Sequence, residues 1–137
     1  MSRRKGRILA FQALYSWDVS QTPLEDLLKF SWQNAQVPED SDSDETAFAR
    51  IIVTGAIEHV AQIDELIKNH LSANWTMERI NKVTLAILRM SIYEMEFQKD
   101  SQKNIVIDEA VNIAREYGLE DSYKFINAVL DKIGKEA

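Results

Sequence analysis

Cysteine is absent from the 137-residue chain, which excludes disulfides, thiolate chemistry and cysteine-based zinc sites and suits a reducing compartment. Proline occurs twice and glycine four times, so few positions force the backbone out of a regular helix. No apolar run approaches the roughly 18 residues of a membrane span, and no uninterrupted apolar segment follows the basic N-terminus as it would in a secretory signal. The expectation is a cytoplasmic protein without membrane attachment. Catalytic patterns are missing as well. His59 and His70 lie eleven residues apart with no HExxH arrangement, and Gly118 belongs to no phosphate-cradling glycine pattern. The pairs Asp108-Glu109 and Glu120-Asp121 read as complements to helix dipoles at helix starts rather than as acid–base couples. Neither an enzyme nor a metal or cofactor site is expected.

What the chain does have is a basic start. Arg3, Arg4, Lys5 and Arg7 are four of its sixteen basic residues, placed just ahead of an amphipathic stretch. A helix N-terminus already carries partial positive charge, so cations there cost stability, about 0.3–1 kcal/mol each. The same place suits phosphates, because side-chain cations and free backbone N–H groups would face an anion together. The net charge of −6 is unevenly distributed: residues 1–20 hold four basic residues against Asp18, whereas residues 21–72 hold three against ten acidic ones. A basic edge on an acidic body would bind nucleic acid locally without wrapping. A solvated, disordered basic tail is the alternative.

Apolar residues recur at helical spacing and predict an all-α chain. Ile8, Phe11, Leu14 and Tyr15 mark a first helix over about 3–19, with Ser2 as N-cap. Thr22-Pro23-Leu24-Glu25 has capping-box spacing with proline at the first helical position, ahead of a face formed by Leu24, Leu27, Leu28 and Trp32. Residues 36–45, with one proline, two serines and five acidic residues, predict a loop. From Phe48 to Ile67 the pattern gives one long helix or two with a bend, ending at a polar joint over 72–76. Glu78–Phe97 is apolar on nearly all faces and predicts a central, buried helix. The next helix carries Ile107, Ala110, Val111 and Ala114 and stops at Tyr117-Gly118, where glycine can take the left-handed conformation. The last, from about Glu120 to Gly134, buries Ile126, Val129, Leu130 and Ile133.

Tyr15 and Trp17 could stack on unpaired bases, or Tyr15 could belong to the core with Phe11. Trp75 reads as a packing anchor before a helix. Lys124, Phe125 and Asn127 form a second polar and aromatic cluster, displaced toward the margin of the last helix's buried stripe. Phe125 either extends the core or joins a nucleic-acid surface, and the latter needs the first and last helices to combine their clusters.

The start Arg3-Arg4-Lys5-Gly6-Arg7-Ile8-Leu9-Ala10-Phe11-Gln12-Ala13-Leu14-Tyr15 resembles the opening of the NusB transcription antitermination family. Asn74-Trp75, Val83 and Ala86-Ile87-Leu88-Arg89-Met90-Ser91-Ile92-Tyr93-Glu94 resemble its central helix. Ile107-Asp108-Glu109-Ala110-Val111, Tyr117-Gly118, Ser122 and Lys124-Phe125-Ile126-Asn127-Ala128-Val129-Leu130-Asp131 resemble its C-terminal signature. The resemblance implies one NusB-like RNA-binding domain of about seven helices in two packed subdomains, about 1–72 and 73–137. It also implies a noncatalytic factor that binds boxA RNA with the NusE ribosomal protein in the RNA polymerase antitermination complex, notably on ribosomal RNA operons. On this basis Arg3, Arg4, Lys5 and Arg7 contact phosphates, Gln12, Lys124, Phe125 and Asn127 face RNA, and Arg89, Tyr93 and Glu94 face NusE, while Tyr15 joins the RNA candidates from its place on the basic helix. A homodimer masking the RNA face is left open. Three departures stand out: Thr84-Leu85 replaces a frequent Asp-Arg, Asp108 a common asparagine and Ala128 a common glycine. Gly6, where alanine is usual, would let the basic segment fray. The alternatives are a helical interaction scaffold, or a stand-alone relative of the RNA-binding extension of ribosomal RNA methyltransferases.

Overall fold

A computed structural model describes residues 3–30, 44–118 and 121–136. Among them are seven α-helices and no strand. Helix α1 spans Arg3–Ser20, α2 Leu24–Leu27, α3 Asp44–Glu58, α4 Val60–Asn69, α5 Lys82–Ile92, α6 Lys103–Tyr117 and α7 Ser122–Lys135. A 3-10 turn at Met77–Arg79 precedes α5, and a π-helical segment at Tyr93–Gln98 continues it. Helix α1 packs on α3 and α5, while α6 and α7 pair with each other and lean on α5.

The predicted central helix is therefore three pieces. Ile80 adopts extended backbone after the 3-10 turn, and Asn81 then starts α5 by accepting from the N–H groups of Val83 at 2.9 Å and Thr84 at 3.3 Å. At the other end the Lys99 N–H donates to the Glu94 carbonyl at 2.8 Å, the five-residue reach of a π-helix, with Lys99 left-handed at φ 61°. Between them Ile87, Leu88, Met90 and Ile92 are wholly buried. The apolar circumference seen in the sequence is real.

Two cap expectations are corrected. Pro23 is the N-cap of α2 rather than its first residue, Thr22 makes no capping box, and the helix lasts only four residues before a turn ends at Phe30 with φ 48°. Leu27 and Phe30 plug the core from this short segment. Gly118 is extended at φ −85°, ψ 174°, not left-handed; Asp121 takes that conformation instead, at φ 68°. Glycine is needed at 118 for space, since a Cβ there would stand 2.7 Å from the Ala114 carbonyl oxygen. Asp108-Glu109 lie in the second turn of α6, not at its start. Ser2, Trp32 and residues 36–43 of the expected loop, as well as Glu120, lie outside the described residues.

Glycine also sets two helix approaches. A Cβ on Gly6 would come within 2.7 Å of the Phe48 ring and 3.0 Å of the Glu45 carbonyl, so this residue lets α1 lie close on α3. Gly55 of α3 has the Tyr93 ring directly against it. Ala128, by contrast, is exposed and packs no helix closely. The α3–α4 stretch resolves into two helices, with His59 at the bend and its Nδ1 2.9 Å from the Gly55 carbonyl oxygen.

Candidate nucleic-acid interface

The four N-terminal cations divide by direction. Arg3 and Lys5 are exposed, and Arg3 donates to Ser101 Oγ at 2.8 Å with its guanidinium 5.2 Å from the Phe48 ring centre. Arg4 reaches across to α6, hydrogen-bonded to the Glu116 carboxylate and 3.8 Å from Glu109. Arg7 turns inward. It is 3% exposed and donates two 2.8 Å hydrogen bonds to the two carboxylate oxygens of Glu94, itself 1% exposed. That planar two-bond pair ties α1 to the π segment and leaves Arg7 no face for a phosphate. Helical geometry demands it: Arg7, Leu14 and Asp18 lie on the inward side of α1, whereas Lys5, Ile8, Gln12, Tyr15 and Val19 share the other.

Along that outer face Gln12, Tyr15 and Ser16 join Phe11, Val83 and Tyr117 around an open groove of about 250 Å³. Tyr15 is 36% exposed and Tyr117 41%, while Phe11 is core and meets Tyr117 edge-on at 5.4 Å. Tyr15 is thus on the surface, with Phe11 beneath it. Trp17 is partly buried, with the Arg89 guanidinium 5.6 Å from its ring.

The second cluster sits at the start of α7. Lys124 and Asn127 are exposed, and Lys124 lies 3.6 Å from Asp121. Phe125 is half-buried against Trp75, ring centres 5.0 Å apart, and the Arg79 guanidinium covers the indole at 5.0 Å. Trp75 is an anchor for Phe125, as expected, yet 38% of it stays exposed. The two clusters are joined through the end of α6: Tyr117 touches Phe11 of α1, and Arg115 stacks over Tyr123 of α7 at 4.5 Å. Tyr117, Arg115, Tyr123 and Arg79 escape sequence reasoning, because Arg115 and Tyr123 are brought together by a helix joint and carry no periodic signal. Exposed aromatics interleaved with cations form a surface suited to stacking bases while neutralising phosphates.

The expected partner-facing trio is corrected in two members. Arg89 is 7% exposed, bonded to Asp64 at 2.9 and 2.8 Å and 3.2 Å from Asp18. Burial opposes its charge, but the Asp64 bonds with the Asp64 and Asp18 charges outweigh this and raise its pKa. Glu94 is spent on Arg7. Both are interior clamps. Only Tyr93 of the three has surface, lying parallel to Phe97 at 6.1 Å, its phenol pKa raised by burial and by Glu58 and Asp100. Among the described residues no helix is long and apolar enough to cross a membrane, and no group of three or more His, Asp or Glu is placed to hold a metal.

Comparison with known proteins agrees with this architecture. A transcription antitermination protein NusB of Treponema denticola is 52% identical over 135 residues, covering 97% of this chain and 96% of the relative. That of Treponema pallidum (strain Nichols) is 43% identical over 137 residues, covering 100% and 95%. A structure of T. maritima NusB superposes with a TM-score of 0.85 at 33% identity, covering 99% of this chain and 92% of that one. A crystal structure of the antitermination factors NusB and NusE in complex with dsRNA gives 0.84 at 29% identity, covering 97% and 96%. The NusB family profile matches residues 4–135. This chain belongs to the NusB family.

Proposed function

We propose that this protein is a cytoplasmic, noncatalytic transcription antitermination factor. It binds boxA RNA in the nascent transcript together with the NusE ribosomal protein, and so supports processive transcription in the polymerase complex, notably on ribosomal RNA operons. The observation that carries this reading is the full-length likeness to the NusB of the NusB–NusE–dsRNA complex. Arg3, Arg4 and Lys5 supply phosphate contacts, and Gln12, Tyr15, Lys124, Phe125 and Asn127 extend the RNA face. Arg7 holds α1 in place through Glu94 rather than touching RNA. On the NusE side we retain Tyr93 and drop Arg89 and Glu94, which are buried and engaged by Asp64 and Arg7. The halves about 1–72 and 73–137 act as one RNA-binding unit, since the basic helix start and the α7 cluster both border the end of α6.

Titration of labelled boxA RNA with and without NusE tests the reading. The isolated protein should bind weakly and NusE should tighten the complex, because two surfaces then meet one RNA. An affinity that NusE leaves unchanged would contradict it.

A further inference from the structure

The exposed indole of Trp75 is unusual in its setting. Trp75 belongs to the turn before the 3-10 helix, where its backbone N–H donates to the Ser72 carbonyl at 3.0 Å, so the backbone beneath the ring is fixed. Phe125 supports the ring at 5.0 Å, and Arg79 lies over it at 5.0 Å, steadied by a hydrogen bond to the Asn74 carbonyl. More than a third of the residue still faces solvent, more than any other tryptophan among the described residues. A packing anchor alone would be covered. Lys124, next to Phe125 in the chain, is exposed, with its ammonium 6.0 Å from the Tyr123 ring centre.

We propose that Trp75 is a stacking station for one unpaired RNA base, with Phe125 as its support and Arg79 swinging from the ring to the phosphate of the same nucleotide. The inference deepens the RNA-binding reading and rests on it. A guanidinium over an indole is a cap that a nucleobase can replace, because the base offers a larger flat surface and its phosphate takes over the cation. The occupant is a single strand rather than a duplex, whose bases are already stacked on each other. The site would add a nucleotide at the α7 end of the strand held by the α1 cations.

The test uses the full chain, a single-stranded boxA oligonucleotide, and the same RNA lengthened by uridines at either end. Stacking predicts that W75A loses about 5-fold to 150-fold in affinity, the range for one base on an aromatic platform. W75F should retain most of the binding while the tryptophan quenching seen on RNA addition shrinks. R79Q should lower the salt slope by about 0.7, one phosphate on a single strand. If W75A fails to fold, the quenching difference between wild type and W75F, together with photocrosslinking of iodouridine RNA to residue 75, decides the matter. Unchanged RNA affinity and quenching in the W75 variants, with wild type binding RNA normally, would overturn the station and leave the antitermination reading intact. Loss of NusE binding by W75A without RNA present would assign the surface to protein and overturn it too. Wild type that binds no RNA even with NusE would instead bring down the parent reading.

Discussion

A sequence run of four cations serves two purposes, and Arg7 shows why charge count alone misassigns a residue. Buried and doubly bonded to Glu94, it stabilises the junction of α1 with the π segment. R7A leaves a carboxylate buried without its partner and should cost about 3–5 kcal/mol in a denaturant titration, whereas R7M/E94L should recover a large part of that loss. Arg4 is the opposite case: its contacts to Glu109 and Glu116 are surface pairs, which a phosphate would displace in the proposed RNA-binding role. E116Q should leave stability nearly unchanged and raise RNA affinity by up to about fivefold, the reach of an exposed pair. A fall in affinity would show that Glu116 positions Arg4 for RNA instead. The direction of Arg3, Arg4 and Lys5 was legible in the sequence as a basic edge. That of Arg7 was readable only from helical phase together with a buried carboxylate 87 positions away.

Element by element, periodicity located α1, α6 and α7 because each has one apolar stripe that packing must cover. It could not see where α5 hands over to the π segment, since Tyr93–Gln98 keeps an apolar pattern while its hydrogen bonds lengthen by one residue. The bend at His59 is equally hidden, and Gly118 answers to local space rather than to a left-handed cap. Leu88, wholly buried on α5, should lose about 2–5 kcal/mol on truncation to alanine. G55A would drive a Cβ into the Tyr93 ring and should cost about 1–3 kcal/mol through overpacking. The end of α4 is tethered differently: the two ring nitrogens of His70 face the Leu66 carbonyl oxygen and the Glu136 carboxylate, each at 2.7 Å, and the protonated ring donates to both. The Leu66 carbonyl raises its pKa above 6.5, burial works against this, and Glu136 adds to the rise. A raised folded-state pKa means the tether stabilises most below the unfolded pKa and weakens as pH climbs through the folded value. The melting temperature of wild type relative to H70Q should therefore be higher at pH 5.5 than at pH 8; an unchanged difference would show that the tether carries no proton linkage.

For the whole molecule, the basic α1 start meets the acidic body at Glu94, Glu109 and Glu116, while Arg3 and Lys5 stay exposed, and α6 carries the aromatic bridge between the two candidate RNA clusters. That bridge was invisible in sequence: Tyr117 read as a helix stop, and neither Arg115 nor Tyr123 stood out. In the proposed role, Arg3, Arg4 and Lys5 hold RNA phosphates and contribute little to the stability of the fold. The most direct measurement is the dependence of boxA affinity on salt concentration for wild type and the triple variant R3A/R4A/K5A, which spares the buried Arg7. Three single-strand phosphate contacts predict that the variant's slope of log K against log salt is shallower by about 2, with melting temperature nearly unchanged. Parallel salt plots at equal stability would show that these three cations do not hold RNA phosphates.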